Sequence, residues 1–395
     1  SARRSAFYFP FILKTHFSHR STRKTPKMKL RHEALPQDLA GDMGGCVKPV
    51  ILSMFFRVFP CGSVVNAMLG FMRSGTPMLP ARQGHRARRV LLAFLSGAAA
   101  SASAETLSLP PEDIDLVGQV RTIQAEHEDT LLDIARRYHL GHDEIVIANP
   151  DVDRWLPGDG TPVLLPTRYI LPDAPRSGVV LNVPEMRVYF YPPAKKDEPR
   201  VVKTYPVSVG RMDWATPLGQ AKVASKQKDP AWRPPQSIRA EAAARGETLP
   251  EIVPPGPNNP LGQFALRLSI PGYLMHGTDK PWGIGMRVTH GCLRMYPEDI
   301  ETIYQEVPVG TPVQIVNQPV KVGWIAGTLY MEVHPPLEED TAGKASLMQT
   351  ALDVVEAALK RRPVAIRGEA INRAVREQRG LPVVISRNNL TVRPH

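Results

Sequence analysis

The sequence predicts a mainly β protein: an antiparallel β-sandwich over residues 177–318, preceded by a small βααβ unit over 121–167 and followed by a strand and helices over 319–395. Three observations predict it. Short runs rich in Val, Tyr and Ile recur between Pro, Gly and Asp turns through the middle of the chain, as in a sheet protein. Proline makes up 40 of the 395 residues, roughly twice its usual share, and proline breaks helices while suiting turns and edge strands. The length fits two or three domains rather than one, and a hydrophobic content of 43% with 22% charged residues excludes wholesale disorder.

The net charge of +11 suggests a nucleic-acid partner only until its distribution is read. Residues 1–104 hold sixteen Lys and Arg against three Asp and Glu, whereas residues 105–395 hold 33 basic and 35 acidic residues. The bulk of the chain thus has no electrostatic footprint for phosphate. Residues 78–104 read as a signal peptide: a basic stretch with Arg82, Arg86, Arg88 and Arg89, an apolar run over 90–100 too short to span a bilayer, and a small-residue cleavage site at Ala102-Ser103-Ala104. A membrane anchor is the rival reading. Residues 1–77 show no sustained periodicity and are read as a mis-chosen start or an unprocessed extension. Export to the periplasm, with no stable membrane span after cleavage, is the expectation. Cleavage after Ala104 would remove Cys46 and Cys61 and leave Cys292 alone, either buried and inert or reactive by design.

Residues 105–120 read as a short leader. In 121–167, a strand over 121–125 precedes a helix capped by Asp129 or Thr130, with Leu131, Leu132, Ala135 and Tyr138 on one face. A second short helix over 143–148 stops at Asn149-Pro150, and a strand over 163–165 closes the unit. The segments GVVLNV, MRVYFYP, RVVKTYPVSVG, GQAKVAS, FALRLSI, GYLMHG and TPVQIV then read as strands. The Pro-rich insertion 228–262, with a one- or two-turn helix over 237–245, is long enough to be a lid or binding loop. One more strand region over 320–333 and helices over 343–362 and 366–378 complete the chain.

The chemistry gathers between Met275 and Tyr296, in MHGTDKPWGIGMRVTHGCLRMY. A cysteine nucleophile needs a base, oxyanion donors and fixed geometry. His276 ends a predicted strand, and Cys292 lies beyond a Gly-rich loop; if the chain returns across the sheet, imidazole and thiol can meet as an ion pair, nucleophilic near neutral pH. Gly291 lets the backbone approach an acyl group, and the N–H groups near Gly291 and Cys292 can face an oxyanion. Arg294, two residues beyond Cys292, suits a substrate carboxylate. Rival readings are a buried inert thiol and a zinc site of His276, His290 and Cys292, which lacks the usual ligand spacing. His127, His139, His142 and His334 read as surface or satisfied core residues. Arg287 is either a second anion contact or a solvated loop charge, Trp282 packs rather than walls a pocket, and Asp279 belongs to a loop turn rather than supporting His276.

Two resemblances follow from these residues. The segment E-D-T-L-x-x-I-A-x-x-Y, the A-N-P after it and the L-P-G-D-G…L-P ending resemble a LysM module, with Glu128 where a Gly is usual. That resemblance implies binding of N-acetylglucosamine-containing glycan strands. The pattern H-G-T…G-x-G-M-R-V-T-H-G-C-x-R-M closely resembles the catalytic motif of L,D-transpeptidases with a YkuD-type domain, and its wording most resembles the lipoprotein-anchoring, ErfK/YbiS/YcfS/YnhG-like subgroup. The resemblance covers residues 177–318. It implies Cys292 as nucleophile, His276 as general base, the Gly277 carbonyl orienting the imidazole, His290 and Gly291 shaping the oxyanion pocket, and Arg294 binding a substrate carboxylate; Thr289, which fills the Ser/Thr position of the motif, and Arg287 are further candidates for substrate contact. No metal and no cofactor are implied. The implied reaction is attack on the diaminopimelate–D-Ala bond of a peptidoglycan tetrapeptide stem, a thioester, and transfer to an amine: the lysine of an outer-membrane lipoprotein or the diaminopimelate of another stem. Water as acceptor would make the protein an L,D-carboxypeptidase or hydrolase. A glycan-binding protein without catalysis is the alternative of a different class. Carbapenem sensitivity is also implied, since a β-lactam can acylate the same sulfur.

Overall fold

The computed structural model describes residues 105–341 and 346–387. The readings of 1–77 and of the signal at 78–104, with Cys46 and Cys61, lie outside the described residues. Among the described residues no helix is long and apolar enough to cross a membrane.

The small unit is βααβ. Strands Arg121–Gln124 and Pro162–Leu165 pair antiparallel around helices Leu131–Arg137 and His142–Ala148. Thr130 and Asp133 form a reciprocal capping box that satisfies two amides at the helix start. Leu131, Ile134, Leu140, Ile145, Val163 and Leu165 make its core. Asn149 ends the second helix and ties it to the closing strand, its amide group bonding both the carbonyl and the N–H of Leu164 at 2.8 Å.

All seven sequence-predicted strand segments form strands, but in one continuous sheet rather than two separate ones. From edge to edge the order is Glu105–Ser108, Val201–Pro206, Arg187–Tyr191, Gly178–Asn182, Pro312–Val316, Gly219–Lys228, Phe264–Leu268, Leu274–His276 and Leu293–Arg294. Six neighbouring pairs are antiparallel; Gly178–Asn182 with Pro312–Val316 and Leu274–His276 with Leu293–Arg294 are parallel. A register shift between Val223 and Ser225 increases the local twist. The sheet curls, so Leu181, Phe190 and Tyr205 from one half share a core with Leu266, Met275 and Leu293 from the other. The expected antiparallel sandwich is therefore corrected to a single curled, mixed sheet whose halves face each other. The expected leader is also corrected: Glu105–Ser108 is the edge strand of this sheet, and Leu116–Gly118 pairs with Arg168–Ile170. Val117, Tyr169 and Leu171 from those segments cover Val180, Tyr189 and Val202 on the sheet's outer face. Strands buried on both sides need no alternation, which is why GVVLN and RVYFY read as nearly continuous apolar runs.

The insertion 228–262 is stapled at its base. Trp232 and Val253 exchange backbone hydrogen bonds at 2.9 and 2.8 Å, and Asn259 donates to Pro230 and Pro254 carbonyls. Its helix spans Gln236–Ala244. The C-terminal region is a hairpin, Val320–Ile325 with Thr328–Val333, joined by Val383–Val384 and packed under helices Leu347–Arg361 and Gly368–Glu377. Its junction with the large sheet is ionic and buried. The Lys321 ammonium donates to Glu185 and to the Ile170 carbonyl at 2.8 and 2.7 Å and pairs with Glu332 at 2.7 Å. Burial disfavours its charge, but the two carboxylates outweigh burial and hold its pKa above the ordinary value. Glu185, Glu332 and His334 converge within 4.8 Å, and the cation among them is this lysine.

Candidate active site

Parallel pairing of Leu274–His276 with Leu293–Arg294 sets the site. Met275 lies opposite Leu293 and His276 opposite Arg294. Met275, Leu293 and Met295 point into the core. Alternation along a strand then puts Leu274, His276, Cys292 and Arg294 on the other face, with Cys292 beside Leu274 and His276 two residues further along, about 7 Å by strand rise. The topology thus brings imidazole, thiol and guanidinium to one face at the edge of the sheet.

His276 is buried, and its Nδ1 lies 2.7 Å from the Gly277 carbonyl. A carbonyl only accepts, so Nδ1 carries the proton and Nε2 is left as the acceptor. Burial, with the Arg294 charge second, pushes the imidazole pKa down to about 4; the Gly277 bond opposes this only partly. The Cys292 thiol is half-buried, donates to the Gly272 carbonyl at 3.6 Å, and is pushed up by burial, against smaller opposing effects of the Leu274 backbone, Arg294 and Arg267. Both shifts oppose charge separation. Burial thus disfavours the ion pair expected from the sequence. The imidazole is suited to taking the proton as the sulfur attacks.

Gly291 has φ +95, and a Cβ there would lie 2.6 Å from the Tyr273 ring, so this turn requires glycine. Thr216 Oγ1 donates to the Gly291 carbonyl at 3.1 Å. Gly277 packs on Ile300 and on Leu261 at the end of the insertion, where a Cβ would sit 3.2 Å from the Ile300 side chain.

Arg294, with Arg267 opposite Leu274, brings positive charge to the nucleophile. Its backbone is fixed by two hydrogen bonds to Ser208, at 2.8 and 3.0 Å, while its buried Nε has no hydrogen-bond partner. Burial lowers its pKa, and Asp279 and Cys292 oppose that. An under-satisfied guanidinium beside a cysteine is suited to a carboxylate. Replacing Arg294 with Lys or Ala is expected to raise KM for a stem-peptide donor about 10- to 100-fold, the scale of a lost charged hydrogen bond. Steady-state kinetics check this; an unchanged KM contradicts it.

Thr289 is buried and its hydroxyl donates to the Cys292 carbonyl at 2.7 Å, so it braces the turn that carries the nucleophile. Two assignments from the sequence are corrected. Arg287 donates to the Gly210 carbonyl at 3.2 Å and pairs with Glu339 at 3.0 Å, so its charge is already compensated. Trp282 is 64% exposed rather than packed. Asp279, read as a turn residue, acts electrostatically on Arg294. The other histidines are placed: His139, His142 and His334 bond Asp299, Asp143 and Glu332 at 2.9, 2.7 and 2.6 Å, and His127 is exposed.

Glu241 was missed by sequence reading. It lies on the insertion helix and its carboxylate meets His290 Nε2 at 2.8 Å and Arg211 at 2.7 Å, with Arg245 at 2.9 Å on its other oxygen. The Arg211 hydrogen bond, then that of His290, brings its pKa down to about 2. The His290 ring is also edge-on to Trp214, with centroids 5.2 Å apart. The His290 ring is thus turned toward the insertion helix. The signal available in sequence was a lone Glu in an Ala-rich helix, which carries no mark of its partner.

Comparison with known proteins adds a family. Residues 176–315 match the model of the L,D-transpeptidase catalytic domain, YkuD. The chain is 37% identical over 296 residues to the probable L,D-transpeptidase YcfS of Escherichia coli (strain K12), covering 73% of this chain and 91% of that protein. It is 38% identical over 292 residues to the probable L,D-transpeptidase ErfK/SrfK of the same organism, covering 72% and 91%. Among solved structures, L,D-transpeptidase 3 from Mycobacterium tuberculosis aligns at 20% identity and a TM-score of 0.26, over 40% of this chain and 67% of that one.

Proposed function

Because the chain belongs to the L,D-transpeptidase family, we propose that Cys292 takes an acyl group from the diaminopimelate–D-Ala bond of a peptidoglycan tetrapeptide stem and passes it to an amine. The observation that carries this reading is the shared face of Cys292, His276 and Arg294, with Nε2 of a neutral imidazole as the available base. His276 accepts the thiol proton as Sγ attacks the carbonyl carbon. Backbone N–H groups near Gly291 and Cys292 face the oxyanion, and Arg294 holds a stem carboxylate. Collapse of the tetrahedral intermediate expels the D-Ala amine, which takes the proton from His276, and a thioester remains. The acceptor amine then gives a proton to His276, attacks the thioester and releases the thiol.

The favoured acceptor is a lysine of an outer-membrane lipoprotein, supported by the wording of the motif and by the YcfS and ErfK/SrfK likeness; a second stem or water uses the same thioester. Mass spectrometry of muropeptides from cells with and without the protein tests this. The expected product is a stem carrying a lipoprotein-derived lysine; diaminopimelate cross-links alone, or trimmed tripeptides alone, contradict it. Work in the periplasm follows from the basic, apolar and small-residue segments of 78–104. The βααβ unit is the glycan-holding part of the same reading, supported by its LysM-like sequence.

The insertion 228–262 acts as a lid that helps choose the acceptor. Its support is Glu241, which fastens the insertion helix to His290, two residues from the nucleophile. Replacing 228–262 by a short turn is expected to change the ratio of amine to water acceptors severalfold while acylation stays within about threefold. Equal loss of acylation and transfer contradicts it.

A further inference from the structure

The βααβ unit is docked on the loop that joins His276 to Cys292. The first amides of a helix have no partner within it. In the helix His142–Ala148 the N–H groups of His142 and Asp143 donate to the carbonyls of Ile284 and Gly285, at 2.8 and 3.1 Å. Gly141 and Gly285 bring the two backbones into contact: a Cβ on Gly285 would lie 2.3 Å from Gly141 Cα, and one on Gly141 would lie 2.9 Å from Gly285 Cα.

The segment after the nucleophile is held by the same unit. Tyr296 donates its hydroxyl to the Leu140 carbonyl at 3.1 Å, Glu298 pairs with Arg136 at 3.1 Å, and buried Asp299 meets His139 at 2.9 Å. From within the sheet, buried Arg187 reaches the Glu144 carboxylate, which also accepts from Gly141 N–H. Cys292 therefore sits between two segments, 284–285 and 296–299, that are both fastened to the small unit. Trp282, exposed on the short helix Pro281–Gly283, lies in the same loop and offers an aromatic face beside the junction.

We propose that this docking fixes the glycan held by the βααβ unit at a set distance from Cys292, so that stems still attached to glycan strands are preferred acyl donors over free stem peptides. The inference rests on the proposed glycan-holding and acyl-transfer roles. A flexible tether would raise the local concentration of any nearby stem; a rigid dock admits only stems at the matching span.

The test compares kcat/KM, per stem, for release of D-Ala from free tetrapeptide stems and from isolated glycan strands carrying the same stems. The full protein is expected to favour the strands by about tenfold or more. Gly141→Val, whose side chain presses on Gly285 and wedges the two backbones apart seven residues before the nucleophile, is expected to bring that ratio near one while free-stem turnover stays within about threefold. Glu298→Lys sets two cations together at the junction and is expected to lower the ratio severalfold; Arg136→Glu with Glu298→Lys restores it. This pair keeps the test open if Gly141→Val fails to fold. A wild-type ratio near one, or variants that lose both donors equally or neither, overturns the coupling. Free-stem turnover by the wild type separates the two readings: with it present and no gain on strands, only the coupling falls, whereas without it the transpeptidase reading falls and the coupling with it.

Discussion

Replacing Cys292 with alanine is expected to abolish release of D-Ala from stem peptides, a loss on the order of a millionfold, the scale on which removing a covalent nucleophile acts. The expectation comes from position. Cys292 is the free cysteine among the described residues, it sits half-exposed at the sheet edge, and Arg294 and His276 share its face. Its sulfur is held only by the Gly272 carbonyl, at a long 3.6 Å, and by the Leu274 backbone, so its loss removes little packing. The variant should therefore unfold at the wild-type temperature and still bind peptidoglycan. Cys292→Ser should also be inactive, because a hydroxyl is a far weaker nucleophile with a base of this low basicity. Chromatographic detection of released D-Ala checks both, with calorimetry as the folding control; turnover in Cys292→Ala within tenfold of wild type contradicts the assignment.

The second large effect belongs to His276. His276→Ala is expected to lower acylation by about 10²- to 10⁴-fold, the range for losing a general base. The pH dependence identifies the role. With the folded pKa at about 4, the imidazole is a competent base throughout the neutral range, and acylation should be level from about pH 5.5 to 8 and fall below pH 5. An ion-pair mechanism would instead track the titration of a low-pKa thiolate. Here burial raises the thiol, so alkylation of Cys292 by iodoacetamide should be slow at pH 7 and accelerate toward alkaline pH. The same shift has a stability consequence. His276 binds a proton less readily folded than unfolded, so between about pH 6.5 and 4 the unfolded chain holds more protons, and stability falls as the pH drops through that window. His276→Ala should unfold with a shallower dependence on pH there, which thermal melts at pH 4 to 7 can read.

The nucleophile and base were legible because the chemistry is local: HGC and HGT are short, and the glycine at 291 announces a turn with positive φ. The strands were legible where composition alone suffices. What sequence could not supply were pairings between distant segments. Gly178–Asn182 runs beside Pro312–Val316, and Glu105–Ser108 reaches Val201–Pro206, so one curled sheet reads as two, and an edge strand reads as a leader. Charge partners were hidden for the same reason. Arg287 looks free until Glu339 arrives from the C-terminal region, and His290 shows no partner until Glu241 arrives from the insertion. The ion pair is disfavoured on a different ground: burial opposes both charges, and a motif does not carry burial.

The most direct test is the mass of the intact protein after brief exposure to a carbapenem at neutral pH. A single added carbapenem mass is expected, mapped by digestion to the peptide containing Cys292 and absent from Cys292→Ala. No adduct, or an adduct that persists in Cys292→Ala, would contradict a thioester-forming cysteine at this site.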